Sequence, residues 1–490
     1  MERSSGILLP VFSLPGAYGI GTLGREARAF ADFLRDAGQR WWQVLPVGPT
    51  GAGNSPYTSA STFAGNPLLI DLEDLRDRGL LTEAELSAAR MPEGAAIDYA
   101  ALYETREPLL RRAFSRLDGG EAQAVRNFAA ANPWLREYAL YRALKAHFGE
   151  AAWYDWPDKA LRDHDPAALD AWRTRLADNV AFHETVQSWF FSQWKALKDH
   201  ANSLGVGIIG DLPIYVSLDS ADVWSERKEF LLDETGKPSR VAGVPPDYFS
   251  AEGQLWGNPL YDWAAQKKDG FGWWIRRVEG ASHLFDAIRI DHFRAFERYW
   301  SVPAGAETAR EGRWEPGPGM DLLGVLTNWF PHITYIAEDL GLLTPEVHQL
   351  RQTAGLPGMK VLEFAFSGPD NAYLPHNYDS RRCVCYTGTH DNDTALGWYD
   401  HAGEAERAFA ERYLGASGRE EVRRALLRWG MGSTAELFVA QMQDYLALGS
   451  EGRINVPGVA EGNWRWRMAP DAVTPALAAE IRTLTETYGR

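Results

Sequence analysis

Short apolar runs that end in an acid, separated by stretches with helical spacing, constrain this chain more than any other feature. Residues 206–211 run apolar into Asp211, residues 286–291 into Asp291 and residues 333–339 into Glu338 and Asp339, while the run at 382–387 leads on to Asp391. A run of this length bounded by turn formers reads as a buried strand, and strands alternating with helices imply a parallel sheet. Residues 7–12, 41–45 and 359–366 supply further runs, whereas helical patterns continue through residue 443 and no eighth strand stands out. Residues 26–37 read as a helix, with Ala27, Phe30, Phe33, Leu34 and Ala37 on one side and Gly38 as its stop. Seven or eight such units predict an α/β fold of the (β/α)8 (TIM) barrel type, whose active site lies at the C-terminal ends of the strands.

A barrel of this type with insertions accounts for 490 residues. Residues 1–70 are expected to form the first part of the barrel. Residues 71–185, rich in Ala, Arg and Glu with helical spacing, form a helical insertion. Residues 186–221 return to the barrel with an amphipathic helix at 186–197. Residues 222–275 form a loop-rich, aromatic insertion over the cleft, and residues 276–490 complete the barrel and carry the active site.

The 66 Asp and Glu residues against 50 Lys and Arg leave a net charge of −16. That balance opposes binding to phosphate backbones or to anionic membrane surfaces. No run approaches the ~18 apolar residues of a membrane span, and the N-terminal stretch lacks the charged and apolar parts of a secretory leader, so a cytoplasmic protein is expected. Cys383 and Cys385, two apart in an apolar run, sit near the ~7 Å limit for a disulfide and read as small buried hydrophobes. Two cysteines without a histidine cluster do not close a zinc site. The turn-rich residues 48–57 lack the Gly-Lys-Ser/Thr of a phosphate loop. No cofactor and no metal is expected, and the oligomeric state is left open.

Asp211, Asp291, Glu338 and Asp391 each follow a separate apolar run, so a closed barrel gathers them at one mouth. Like charges brought together cost free energy, which favours an active site over four surface acids. Arg289 lies two residues before Asp291 and shares its face of the strand, so its charge should hold Asp291 ionised. A structural ion pair at a strand end is the plain alternative. Glu338 follows Ile336 and Ala337, has no adjacent base and has Asp339 beside it, so burial and like charge should raise its pKa. An ionised acid and a protonated acid on two strands make the nucleophile and the general acid/base of a retaining glycosidase, with carboxyls about 5–5.5 Å apart. Asp391 then suits stabilisation of an oxocarbenium-like transition state. His292 and His390, each beside a strand-end acid, read as hydrogen-bonding partners for substrate rather than metal ligands.

These residues resemble a known family. Gly210-Asp211-Leu212-Pro213-Ile214, Arg289-Ile290-Asp291-His292-Phe293-Arg294, Ala337-Glu338-Asp339-Leu340-Gly341 and Gly388-Thr389-His390-Asp391-Asn392-Asp393 are similar to the four signature regions of the α-amylase clan. Ser55-Pro56-Tyr57, Ala64-Gly65-Asn66-Pro67, Pro245-Pro246-Asp247-Tyr248-Phe249, Trp256-Gly257-Asn258-Pro259, Leu374-Pro375-His376-Asn377-Tyr378 and Gly462-Asn463-Trp464 narrow the resemblance to the 4-α-glucanotransferases, or amylomaltases. It spans nearly the whole chain from Leu14-Pro15-Gly16 and weakens in the helical insertion. It implies Asp291 as nucleophile, Glu338 as acid/base and Asp391 as transition-state stabiliser. It also implies sugar contacts from Tyr57, Asp211, Phe249, Gln254, Trp256, Arg289, His292, His390 and Asn463. An α-1,4-glucan donor and a glucose or maltooligosaccharide acceptor would be the partners. Ala52 departs from the pattern, where many members carry an aromatic.

A hydrolase of the same clan is the nearest rival; α-amylases usually carry a β-sandwich after the barrel, and the residues after Asn463 are too few for one. A non-catalytic glucan-binding protein would use Tyr57, Phe249 and Trp256 but has no need of four strand-end acids. A metal-dependent barrel enzyme would need a ligand spacing that His390, Asp391 and Asp393 do not provide.

Overall fold

The computed structural model describes residues 2–92, 94–246, 251–341 and 343–490. The chain opens with strand β1 (Ser4–Leu8), shorter than the run at 7–12 implies: Pro10 has no N–H for a ladder, and Val11–Ser13 instead form a 3-10 turn. The helix Arg25–Asp36 buries Ala27, Phe30, Ala31 and Leu34, one stripe at helical spacing, and ends where Gly38 takes a positive φ of 72°. Strand β2 (Trp41–Gln43) follows.

Helices then fill residues 72–175, and the helix Ala177–Ser203 carries the chain back to the barrel. This single 27-residue helix spans the boundary drawn at 185/186, so insertion and barrel are continuous there. Its Gln187 exchanges bonds with both the N–H and the C=O of Gly65 (2.7 and 2.9 Å), and its Gln193 does the same with Asp71 (2.7 and 3.1 Å). These bonds satisfy buried backbone groups of the loop that leads out of the barrel.

Strand β3 (Gly207–Leu212) comes next. The stretch read as loop-rich then supplies β4 (Arg240–Val244) and β5 (Gln254–Pro259), and the helix Gly272–Leu284 leads into β6 (Ala287–Ile290). Beyond β6 come β7 (Arg298–Pro303) and β8 (Arg313–Pro316). These pair with β4 and β5 in a four-stranded antiparallel sheet of order β5-β4-β7-β8. This sheet therefore draws strands from both sides of β6, and its second pair falls within residues 276–490, which the sequence reading gave to the barrel.

The barrel continues with β9 (Thr334–Ala337), β10 (Gly358–Val361) and β11 (Cys383–Tyr386). The eighth strand, missed in the sequence, is β12 (Leu437–Gln441), fully buried. The parallel order β10-β11-β12-β1-β2-β3-β6-β9 is a (β/α)8 ring, and a bond from Ala337 N–H to Pro357 C=O (2.9 Å) bridges β9 to the start of β10. The apolar core lies between the ring and the helices around it. The ring interior is partly polar: Tyr386 on β11 reaches across to donate to Gln43 on β2 (2.9 Å). Among the described residues no helix is long and apolar enough to cross a membrane. After β12 the chain closes with the helix Pro475–Thr487.

Candidate active site

Register places the two acids at the centre. Ile290 on β6 pairs with Ala337 on β9, so Asp291 and Glu338 leave neighbouring parallel strands at the same level. Neighbouring strands lie about 4.8 Å apart, so the two acids emerge side by side at the mouth of the barrel. His292 then takes a left-handed conformation (φ 49°) that turns the chain sharply after Asp291. In that turn the His292 N–H donates to Glu338 Oε2 (2.7 Å) and the Phe293 N–H to the Glu338 C=O (3.1 Å), while the Leu340 N–H, two residues beyond Glu338, donates to Oε1 (3.0 Å). The turn that follows one acid thus fixes the rotamer of the other.

Asp211 on β3 is the register partner of Arg289 on β6, so both side chains share the interior face. Arg289 Nη1 contacts Asp211 Oδ1 and Oδ2 at 2.8 and 2.6 Å and Asp291 Oδ1 at 3.1 Å. The Tyr57 hydroxyl donates to Asp211 Oδ2 (2.7 Å), and its ring stacks on His390 with centroids 5.1 Å apart.

This arrangement corrects the electrostatics read from sequence. Burial raises the Asp291 carboxyl above its usual range; Arg289 opposes that, while Asp211 and Asp391 add to it. Arg289 does not hold Asp291 alone, because it is shared with Asp211. Burial also raises Glu338, Asp291 adds to the rise, and Arg289 with the two N–H donors opposes it. Asp339 is not the like charge involved. Its carboxylate faces away, paired with Arg351 (2.9 Å) and accepting from the Met359 N–H (2.7 Å). Burial lowers His390 and takes His292 down to about 3, which favours the neutral imidazole at both.

Asp391 is held by residues that the sequence reading missed. Asn455 Nδ2 donates to its Oδ1 (2.6 Å) and Arg453 Nη2 donates to its backbone carbonyl (2.8 Å); His390 Nε2 lies 3.3 Å from the same Oδ1. Nothing in the local sequence around 453–455 signals this. The Trp464 ring, 5.7 Å from Tyr57 and 5.9 Å from His390, closes the same side. Asn463, expected to reach sugar, spends its side chain on the backbone of Val456 and Val459 and so shapes the loop 456–463. Across the cleft the exposed Trp256 on edge strand β5 meets His292 edge-on at 4.8 Å, and its Nε1–H donates to Gln254 Oε1 (3.1 Å). Phe249, with Tyr248, lies outside the described residues. Ala52 stands in an exposed turn (Ala52–Asn54) beside Tyr103, whose hydroxyl donates to Asn54 Oδ1 (2.9 Å). Among the described residues no group of three or more His, Cys, Asp or Glu side chains could hold a metal ion.

A family model described as 4-alpha-glucanotransferase matches residues 9–474. The chain belongs to that family. The 4-alpha-glucanotransferase of Thermus thermophilus is 50% identical over 100% of this chain and 99% of its own length. That of Aquifex aeolicus is 47% identical, again over 100% of this chain and 99% of its own. A solved amylomaltase from Streptococcus agalactiae, in complex with acarbose, superposes with a TM-score of 0.97 at 37% identity over the whole of both chains. The chain is therefore a transglycosylase, which transfers a glucan segment from a donor to a sugar acceptor and releases the rest of the donor. Its barrel mouth presents two raised acids on adjacent strands, a cation shared between two carboxylates, two imidazoles and an exposed indole.

Proposed function

We propose that this enzyme moves α-1,4-glucan segments by double displacement at the mouth of the barrel. Asp291 attacks C1 of the donor sugar while Glu338 gives its proton to the glycosidic oxygen. The bond to the leaving chain breaks as the ester to Asp291 forms. Glu338, now ionised, takes the proton from the 4-hydroxyl of an acceptor glucan. That oxygen attacks C1, and the Asp291 carboxylate departs. Asp391, held by Asn455, faces the positive charge that develops in both steps, and Asp211, Arg289, Tyr57, His292 and His390 bind the sugar at the cleavage point. The shared level of Asp291 and Glu338 on β6 and β9 carries this reading.

Transfer requires that an acceptor sugar outcompete water, and oriented binding supplies effective molarities of about 10⁵ M or more. The exposed indole of Trp256 supports the reading that it stacks such an acceptor. A cytoplasmic location belongs to the same reading and fits the two free, buried cysteines. Counting reducing ends on maltotriose tests the whole. Transfer releases glucose and longer chains with the total constant. A total that rises in step with glucose would make this a hydrolase.

A further inference from the structure

Beneath the loop 388–393, which carries His390 and Asp391, lies an acid with no part in the chemistry so far. Glu363 sits in the 3-10 turn Leu362–Phe364 directly after β10 and is buried. Its N–H donates to the Thr387 C=O (3.2 Å), and its carboxyl lies against Gly388, where a Cβ would stand 2.6 Å from Glu363 Oε1 and 2.7 Å from Gln441 Nε2. Glycine at 388 is thus what lets both side chains reach the loop.

From Glu363 a contact with Asn392 and then a run of hydrogen bonds leads to Asp391. Glu363 Oε1 and Asn392 Cβ both close on the position a Cβ of Gly388 would take (2.6 and 3.0 Å), so the Asn392 side chain lies beside the Glu363 carboxyl. Asn392 Oδ1 accepts from the N–H and the hydroxyl of Thr389 (3.0 and 2.9 Å), and Thr389 Oγ1 accepts from the Asp391 N–H (3.3 Å). At the far end of the loop Gln441 Nε2 donates to the Asp393 C=O (2.8 Å).

We propose that Glu363 is a positioning residue for the transfer reaction: through Asn392 and Thr389 it sets the 388–393 loop and so where Asp391 meets the sugar. The acid acts in its neutral form. Glu363 Oε1 is buried without a hydrogen-bond partner among the described residues, and the charged groups that face it are the acids Asp393 and Asp444 with Arg453 as the opposing cation. An ionised carboxylate would place an unpaired charge between two others, and burial with those neighbours raises this group well above the usual Glu range.

The inference rests on the part given to Asp391 above, so the test includes Asp391→Asn. Glu363→Gln keeps the shape and the neutral charge; Glu363→Met keeps only the shape. Maltotriose disproportionation should show kcat for the Gln variant close to wild type. For the Met variant kcat should fall by about 100-fold, the cost of roughly 1 Å of misplacement, with KM within a few-fold. Thermal unfolding supplies a second readout. The folded state holds a proton that the unfolded state loses above about pH 4.3, so wild-type stability falls as pH rises from there towards the folded pKa. Glutamine bears no such cost. The Gln variant should melt above wild type at about pH 7.5, with the difference vanishing at about pH 4. A folded Met variant with wild-type kcat, a Gln variant as impaired as Met, or a Gln-minus-wild-type difference independent of pH would each overturn the proposal. Full activity in Asp391→Asn would instead overturn the role of Asp391. An inert Asp391→Asn beside an unimpaired Glu363→Met would overturn the positioning role alone.

Discussion

Arg289 lies 2.6 Å from Asp211 and 3.1 Å from Asp291, so its guanidinium is held more closely by the neighbouring acid than by the nucleophile. Asp211 is the register partner of Arg289 across the β3–β6 ladder and is fully buried at the carboxylate, whereas Asp291 opens towards the cleft. A cation divided in this way lowers the nucleophile's pKa less than a dedicated one would.

The pH dependence of kcat/KM follows from that division. Asp291 must be ionised to attack and Glu338 must be protonated to release the leaving chain, so the profile should be bell-shaped. Both carboxyls are raised, so both limbs should lie above the ordinary carboxylate range of about 3.9–4.3. Asp211→Asn removes a charge that raises Asp291 and releases Arg289 to it, so the acidic limb should move to lower pH. Initial rates on maltotriose across the pH range measure this; an acidic limb that stays or rises in the variant would show that Asp211 does not act on Asp291.

Arg289 also has a structural part. Its removal leaves Asp211 buried with no cation at hydrogen-bond distance among the described residues, and breaking a buried pair from one side costs about 3–5 kcal/mol. Arg289→Met should therefore lower the free energy of unfolding by that amount in urea titrations at neutral pH. A loss below about 1 kcal/mol would mean that the acids adjust by protonation instead.

Asp291→Asn should remove turnover on every donor, because an amide cannot form the glycosyl ester. Glu338→Gln should lose activity on glucans yet recover in part on donors whose leaving group needs no proton. Purified variants assayed on maltotriose and on an activated glucoside separate the two roles. Equal losses on both donors for Glu338→Gln would remove it from the acid's place.

Asn455 donates to Asp391 at 2.6 Å and fixes the rotamer of a carboxylate that is otherwise open to solvent. A hydrogen bond to a charged group is worth about 1.5–3 kcal/mol, or roughly 10- to 100-fold in rate if it is used in the transition state. Asn455→Ala should lower kcat by that factor with little change in KM. An increase in KM alone would place Asn455 in ground-state binding instead.

The sequence by itself determined the alternation of strands and helices, the acids at strand ends, the arginine two residues before Asp291 and the family. Those features are local: a periodicity, a run that stops at an acid, a motif read within a few residues. The eighth strand escaped because Leu437–Gln441 leads straight into the helix Met442–Tyr445, so no turn former closes the short apolar run, and such a run alone has no period to tell strand from helix. The antiparallel sheet escaped because its halves lie on either side of β6 in the chain. Only the tertiary structure decided which acid shares Arg289, that Asp339 turns away to Arg351, that Asn455 reaches back to Asp391, and that Glu363 underlies the 388–393 loop. Each depends on which strands become neighbours when the ring closes, and at what register. A charge or a hydrogen bond acts over a few ångströms of space, whatever the separation along the chain.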